Sequence, residues 1–237
     1  MAVEKITQGV YRIPLGFVNA FIVEDGGLTI IDTGIPGHTN TILAAVRAIG
    51  FQPEDVHQIL ITHLHFDHTG SLSALKKTTG AQVAMHPLEA SLIRQGVAGR
   101  ESEPPPGLLS FLMKPFLRGG TGRTRVEPVE VDRELQDGEI LAETGGLQVI
   151  HTPGHTAGHL SFFYPKQGGV LFIGDTLTHW MGIGGAPIYE NYETATKSLQ
   201  KLLELDFRTV CFSHGKPLTL NASSRVKAKI RQMQGGG

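Results

Sequence analysis

The stretch Ile59-Leu60-Ile61-Thr62-His63-Leu64-His65-Phe66-Asp67-His68-Thr69-Gly70 places three histidines and one aspartate within six positions, directly after an apolar, β-branched run. Val56 to Ile61 is short, apolar and followed by turn-forming residues, which predicts a buried strand. Just past a strand end the chain is still nearly extended, so residues i and i+2 point the same way. His63 and His65 can therefore aim their rings at one point. Asp67 and His68 follow as the chain turns into a helix expected to open near Thr69-Gly70-Ser71-Leu72, and they address a second point a few ångströms away. Imidazole with carboxylate is the donor set of zinc and other borderline divalent ions. A lone histidine here would be an ordinary core or surface residue. Four donors in six residues predict a metal site.

Composition narrows the field. The 237 residues suit one α/β domain or two small ones. One domain over residues 1–234 is the reading adopted, with Gly235-Gly236-Gly237 as a tail. With 21 basic against 22 acidic residues, no polycationic arm argues for nucleic acid. The single cysteine, Cys211, excludes an internal disulfide framework, and its place in Thr209-Val210-Cys211-Phe212 predicts a buried small hydrophobe. Met1 to Lys5 shows no secretory pattern, and no apolar stretch reaches the ~18 residues of a membrane span. The expectation is a cytoplasmic monomer or homodimer whose partner is a small-molecule substrate, with neither nucleic acid nor membrane.

In chain order, Val10 to Leu15 and Asn19 to Val23 predict an antiparallel pair. Leu28 to Ile31 follows after Glu24-Asp25-Gly26-Gly27 and ends in Asp32-Thr33-Gly34. Helical spacing over Thr39 to Ile49 stops at Gly50, and a second helix is expected from about Ser71 to Thr78. Ala81 to Met85 is a further strand. Residues 88–125 change in texture, with Glu103-Pro104-Pro105-Pro106-Gly107 as a stiff linker into the apolar segment Leu108 to Leu117. That segment reads as a helical insertion that either packs on the core or forms a lid or dimer contact, with Phe111 and Leu112 as candidate pocket residues. Strands are then expected at Val126 to Val131, Glu139 to Ala142, Leu147 to Ile150, Leu160 to Tyr164, Val170 to Ile173 and Thr209 to Phe212. Helices are expected over Asn191 to Leu205 and Leu220 to Met233.

A weak internal repeat runs through this order. Gly26-Gly27-Leu28-Thr29-Ile30-Ile31-Asp32-Thr33 resembles Gly168-Gly169-Val170-Leu171-Phe172-Ile173-Gly174-Asp175-Thr176. Each is followed by a helix and by a strand ending in hydroxyl-plus-histidine, Thr62-His63 or Ser213-His214. Duplication would set two β-rich halves face to face with ligands along one shared edge. The second dense cluster, His151-Thr152-Pro153-Gly154-His155-Thr156-Ala157-Gly158-His159, also lies at a strand end, where Pro153 and Gly154 force a turn that can present His155.

Five blocks in this order carry a family resemblance: Ile31-Asp32-Thr33-Gly34, Thr62 to His68, Thr152 to His159, Gly174-Asp175-Thr176 and Ser213-His214-Gly215. Over nearly its whole length the chain resembles the metallo-β-lactamase-fold hydrolases, in the branch of lactonases and glyoxalase II. The resemblance implies an α/β fold, an αββα sandwich of two mixed sheets, with a binuclear site. In the family's arrangement His63, His65 and His155 would hold one metal, and Asp67, His68 and His214 the other. Asp175 would bridge two dications ~3.5–4 Å apart. Zinc is the expected metal, with iron or manganese as alternatives. Asp32 and His159 would support ligands rather than bind metal. His38, His57 and His86 are expected on loops, and His179 and Trp180, close behind Asp175, as pocket lining. Tyr189 and Tyr192 read as ordinary packing.

The resemblance further implies hydrolysis, in which a hydroxide bridging the metals attacks an ester, lactone, thioester or amide carbonyl while Asp67 relays the proton to the leaving group. Thr178-His179-Trp180-Met181-Gly182 stands where glyoxalase II carries a Gly-Cys-Gly-Arg-type segment. Thr178 replaces the tyrosine of the quorum-quenching lactonases. The apolar insertion favours a greasy acyl or lactone substrate, hence a carboxylic ester or lactone hydrolase. A glyoxalase II-like thioesterase is one alternative, and an iron-dependent redox enzyme resembling the persulfide dioxygenases is another.

Overall fold

The structure is a computed structural model and describes residues 3–107 and 124–235. Among the described residues seven strands form the first sheet in the order β1 (Glu4–Thr7), β2 (Val10–Leu15), β3 (Val18–Glu24), β4 (Leu28–Ile31), β5 (Val56–Leu60), β6 (Gln82–Met85) and β7 (Arg133–Glu134). The second sheet runs β12 (Thr209–Cys211), β11 (Val170–Phe172), β10 (Leu160–Tyr164), β9 (Leu147–His151), β8 (Ile140–Leu141). Both sheets are mixed. Strands β2, β3 and β4 are antiparallel, and β5 joins β4 in parallel after helix α1 (Thr39–Ala48). Strands β9, β10 and β11 are antiparallel, and β12 joins β11 in parallel after helix α5 (Tyr192–Leu203). The two halves thus share one strand order, as the internal repeat predicts.

Alternation of side chains turns these strands into layers. On β3, Ala20 and Ile22 face outward to α1 and α3 (Leu72–Thr79), where Ile42, Val46, Leu72 and Leu75 cover them. Phe21 and Val23 face inward and meet Val149, Phe162 and Phe172 of the second sheet. The outer face of that sheet, Leu171 and Val210 among others, packs on Leu199 and Leu202 of α5 and on Val226 and Ile230 of α6 (Ala222–Gly235). Three apolar seams therefore alternate with four layers, giving an αββα sandwich. Cys211 lies in the middle seam, fully buried, and burial pushes its thiol far above the ordinary range.

Some local expectations change. Val126 to Val131 forms no strand, because Pro128 lacks the N–H a ladder requires. Instead Val129 and Val131 plug the outer seam, and only Arg133–Glu134 pairs with β6. A one-turn helix α2 (Phe66–Thr69) precedes α3, so Asp67 and His68 lie within a helical turn rather than ahead of one. His57, expected on a loop, belongs to β5. Of the 88–125 insertion, helix α4 (Pro87–Ile93) and a bridge from Val97 to Arg125 are seen, while Leu108 to Leu117, with Phe111 and Leu112, lies outside the described residues. No helix among the described residues is long and apolar enough to cross a membrane.

Phe162 is fully buried between the sheets. Phe162→Ala is expected to cost about 3–5 kcal/mol, read as a lower urea midpoint at unchanged m-value.

Candidate metal centre

The candidate ligands leave the strands at one edge of the sandwich. Leu60 ends β5 and hands the chain to His63, His65 and α2. The β9–β10 connection carries His155, β11 runs out into Gly174-Asp175, and β12 into Ser213-His214. Two glycines fix these exits. A Cβ on Gly154 (φ +132°) would lie 2.2 Å from the Ala195 backbone nitrogen, so the loop bearing His155 can press onto the start of α5. A Cβ on Gly174 (φ +57°) would meet His159 Nε2 at 2.5 Å. That same nitrogen accepts the Asp175 N–H at 2.9 Å.

All seven residues converge. His63 Nε2, His65 Nδ1 and His155 Nε2 form a triangle with sides of 3.1, 3.0 and 3.2 Å. Ligands at zinc–nitrogen distance in tetrahedral array lie about 3.3 Å apart, so the triangle is one face of such a polyhedron. Asp67, His68 and His214 form a second set, with His214 Nε2 3.4 Å and His68 Nε2 3.8 Å from Asp67 Oδ2. Asp175 lies between the sets. Its Oδ2 is 3.5 Å from His155 Nε2 and 3.2 Å from His214 Nε2. His68 Nε2 and Asp175 Oδ1 are buried without a hydrogen-bond partner among the described residues. Orphaned buried polar atoms are rare, and here both face the cage, which a cation would satisfy.

Outer partners fix which nitrogen of each ring is free. His155 Nδ1–H donates to the Ile188 carbonyl and His214 Nδ1–H to the Phe17 carbonyl, each at 2.9 Å. His68 Nδ1–H donates to Asp32 Oδ2 at 2.8 Å. Thr62 gives its hydroxyl proton to Asp32 at 2.8 Å, so its oxygen accepts from His63 Nδ1, 3.0 Å away. Each of these four rings thus turns its Nε2 toward the cage as the atom left to ligate. Asp32, fully buried at φ +61°, also accepts the Thr62 N–H at 2.9 Å and so controls two ligands at once. His159 Nδ1–H donates to Thr152 Oγ1 at 2.9 Å, and the ring serves Asp175 rather than an ion.

The electrostatics separate the two sets. Burial, reinforced by the neighbouring imidazoles, holds His63 well below its ordinary range and His65 down at about 3. Burial also lowers His155, against the pull of Asp175. These rings are neutral and ready to ligate. For His68 and His214 burial acts in the same direction, but carboxylates overcome it. Asp32, Asp67 and Asp175 lift His68 to about 9, and Asp175 with Asp67 lifts His214 to about 11. Asp67 and Asp175 are held below the usual carboxylate range because the nearby imidazoles outweigh their burial.

Over the cage opens a cavity lined by Phe17, Phe66, Ala98, Arg100, Trp180 and Ile188 beside the ligands. Phe17 stacks on His214 at 5.9 Å between ring centres, and Trp180 meets the same ring edge-on at 5.1 Å. His179 corrects its expectation. It is not among the residues lining this cavity, since its Nδ1–H donates to the Lys216 carbonyl at 2.7 Å and its ring lies by Phe212. His86, expected on a loop, is buried as the N-cap of α4 and stacks on His151. Tyr189 is buried, with its ring 6.2 Å from His155. Sequence reasoning missed Phe17, although a lone aromatic in the Gly16-Phe17 turn of the β2–β3 hairpin was a usable signal. It also missed Asn19, whose Nδ2 donates to the carbonyls of Phe212 (2.9 Å) and Gly215 (2.7 Å) and so anchors the turn bearing His214. Nothing local in the sequence marks that long-range contact.

The Metallo-beta-lactamase superfamily profile matches residues 13–214, and the chain belongs to that family. YobT of Bacillus subtilis is 30% identical over 232 residues, covering 92% of this chain and 91% of its own. YflN of the same organism, described as a probable metallo-hydrolase, is 26% identical over 245 residues (91% and 87%). The hydroxyacylglutathione hydrolase of Chelativorans sp. is 30% identical over 173 residues, covering 72% of this chain but 51% of its own, so the chain spans about half of that relative. Among solved structures, a metallo-β-lactamase of Cronobacter sakazakii superposes with a TM-score of 0.75 at 20% identity, over 99% of this chain and 93% of that one. One from Novosphingobium pentaromativorans gives 0.75 at 23% identity, over 99% and 87%. These neighbours establish the fold. Family and donor clusters together imply divalent metal ions.

At pH 7, which lies below about 9 and about 11, His68 and His214 each carry a proton that an incoming ion must displace. Loading the metal-free protein with zinc in weakly buffered solution should release protons, read with a pH indicator, and affinity should fall on acidification. Gly174→Ala should lower metal content as well as stability, measured by metal analysis and thermal melting.

Proposed function

We propose that the chain is a binuclear metal-dependent hydrolase of carboxylic esters or lactones that bear an apolar arm. The observation that carries this reading is the setting of the donor cage beneath an aromatic mouth. Phe17, Phe66 and Trp180 are 52%, 38% and 55% exposed, yet all three line the cavity above the ligands. Exposed aromatics gathered at a polar cage fit a substrate with a greasy acyl or ring portion.

Two divalent ions, zinc in this reading, would supply Lewis acidity and a water ionised near neutral pH when bound. His63, His65 and His155 would hold one, and Asp67, His68 and His214 the other, with the Asp175 carboxylate shared. Asp67 keeps some contact with the cavity, its side chain 13% exposed, and it is ionised at neutral pH. In this reading it takes the proton from the hydroxyl newly bonded to the carbonyl carbon and returns it to the departing alkoxide. The apolar walls orient the acyl portion and exclude bulk water from the reacting carbonyl. This chemistry calls on no serine or cysteine nucleophile, and Cys211 is sealed in the core.

A thioester substrate is the second reading, favoured by the likeness to hydroxyacylglutathione hydrolases. A screen of lactones, aryl esters, thioesters and phosphodiesters on metal-quantified protein separates the two, and redox-active iron in that protein would favour an oxidative enzyme instead. His155→Ala and Asp175→Ala should abolish turnover with loss of metal. Asp67→Asn should lower kcat by about 10²-fold or more. Trp180→Ala combined with Phe17→Ala should raise KM about tenfold for long acyl chains and far less for acetyl esters. Equal KM values across chain lengths would remove the apolar-arm reading.

A further inference from the structure

Glu89 is a carboxylate with no exposed surface, sited on α4 outside the donor cage. Its Oε2 accepts the Leu64 N–H at 2.9 Å, and its Oε1 accepts the Gly158 N–H at 2.7 Å and Arg100 Nη1 at 3.0 Å. Leu64 is the residue between His63 and His65, and Gly158 lies three positions after His155. One carboxylate therefore ties together the two loops that supply the three-histidine triangle, although those loops leave different sheets. Arg100 Nη1 also reaches Glu190 Oε1 at 3.0 Å. Glu190 in turn accepts the Ala157 N–H at 2.8 Å and donates its own N–H to the His155 carbonyl at 3.1 Å. The second donor set is tied elsewhere, His68 to Asp32 and His214 to Phe17.

A buried carboxylate persists only where it is paired and fully hydrogen-bonded, and Glu89 meets that condition through the loop backbones and Arg100. Gly158 makes the approach possible, because a Cβ there would lie 2.6 Å from Glu89 Cγ and Oε1. We propose that Glu89, held by Arg100, is a positioning residue that sets the distance between the His63–His65 turn and the His155 loop, and so tunes the three-histidine site selectively. The inference rests on those rings holding a metal and is independent of which carbonyl compound is cleaved.

The test titrates full-length, chelator-stripped protein with zinc against a chromogenic competitor, and with cadmium by NMR, where each bound ion gives its own resonance. Glu89→Gln keeps the volume but leaves one of the two backbone N–H groups without an acceptor oxygen. It should weaken the three-histidine site by about tenfold or more and perturb one cadmium resonance, while the second site keeps its affinity, even though loss of the buried pair also lowers the melting temperature. Arg100→Lys should weaken the same site by less. Gly158→Ala, which keeps residue 89 a glutamate but drives a Cβ against its Cγ and Oε1, should also act on that site, and it decides the matter if Glu89→Gln fails to fold. Both sites weakening in step would reduce Glu89 to a core residue, and unaltered affinities would overturn the proposal outright. A wild-type protein that binds no metal would instead overturn the cage itself, along with this role.

Discussion

Five imidazoles and two carboxylates meet within a few ångströms, largely out of water, and that crowding constrains everything around them. Like groups buried side by side cannot all keep their solution charge states. Three rings are driven neutral, two are drawn toward protonation by carboxylates, and a nitrogen and an oxygen are left with no partner. Such a cluster is held in shape from outside. Asp32, Thr62 and the carbonyls of Phe17 and Ile188 each occupy the far nitrogen of a ring, leaving the near one facing the cage. The strained left-handed backbone at Asp32 is consistent with a position dictated by this duty.

The sandwich answers that constraint through its topology. Each half runs three antiparallel strands, a helix and a parallel fourth strand, so each half delivers a hydroxyl-plus-histidine pair at the end of that fourth strand. Face-to-face packing puts the two ends on one edge. Asn19 then stitches the halves together from β3 to the turn bearing His214, and Arg12 holds the Asn19 side chain in turn at 2.8 Å. Ligands far apart in sequence therefore share a cage because the apolar seams, not the ligands themselves, set the relation of the sheets.

The features legible in the sequence are those with short-range physical causes. Apolar runs ending in turn residues located β4, β5, β9, β11 and β12, and donor residues just past those runs marked the edge where a site belongs. Pro128 shows the limit of periodicity: an alternating segment reads as a strand, yet its missing N–H leaves Val129 and Val131 as plugs beside the sheet. His179 followed Asp175 closely enough to suggest the pocket, but a bridge to Gly215 turned its ring toward a backbone carbonyl. Glu89 was invisible for a different reason. Its partners are 25, 69 and 11 residues away, and two of the three are backbone amides, which carry no signature in any side chain.

Cys211 has a practical consequence. The chain's only thiol is enclosed between the sheets and held in its protonated form, which removes it from reach of oxidants and alkylating reagents while the protein is folded. A cysteine introduced on the surface would therefore be the sole reactive thiol, and a spin label or fluorophore could be attached there without first removing the native one.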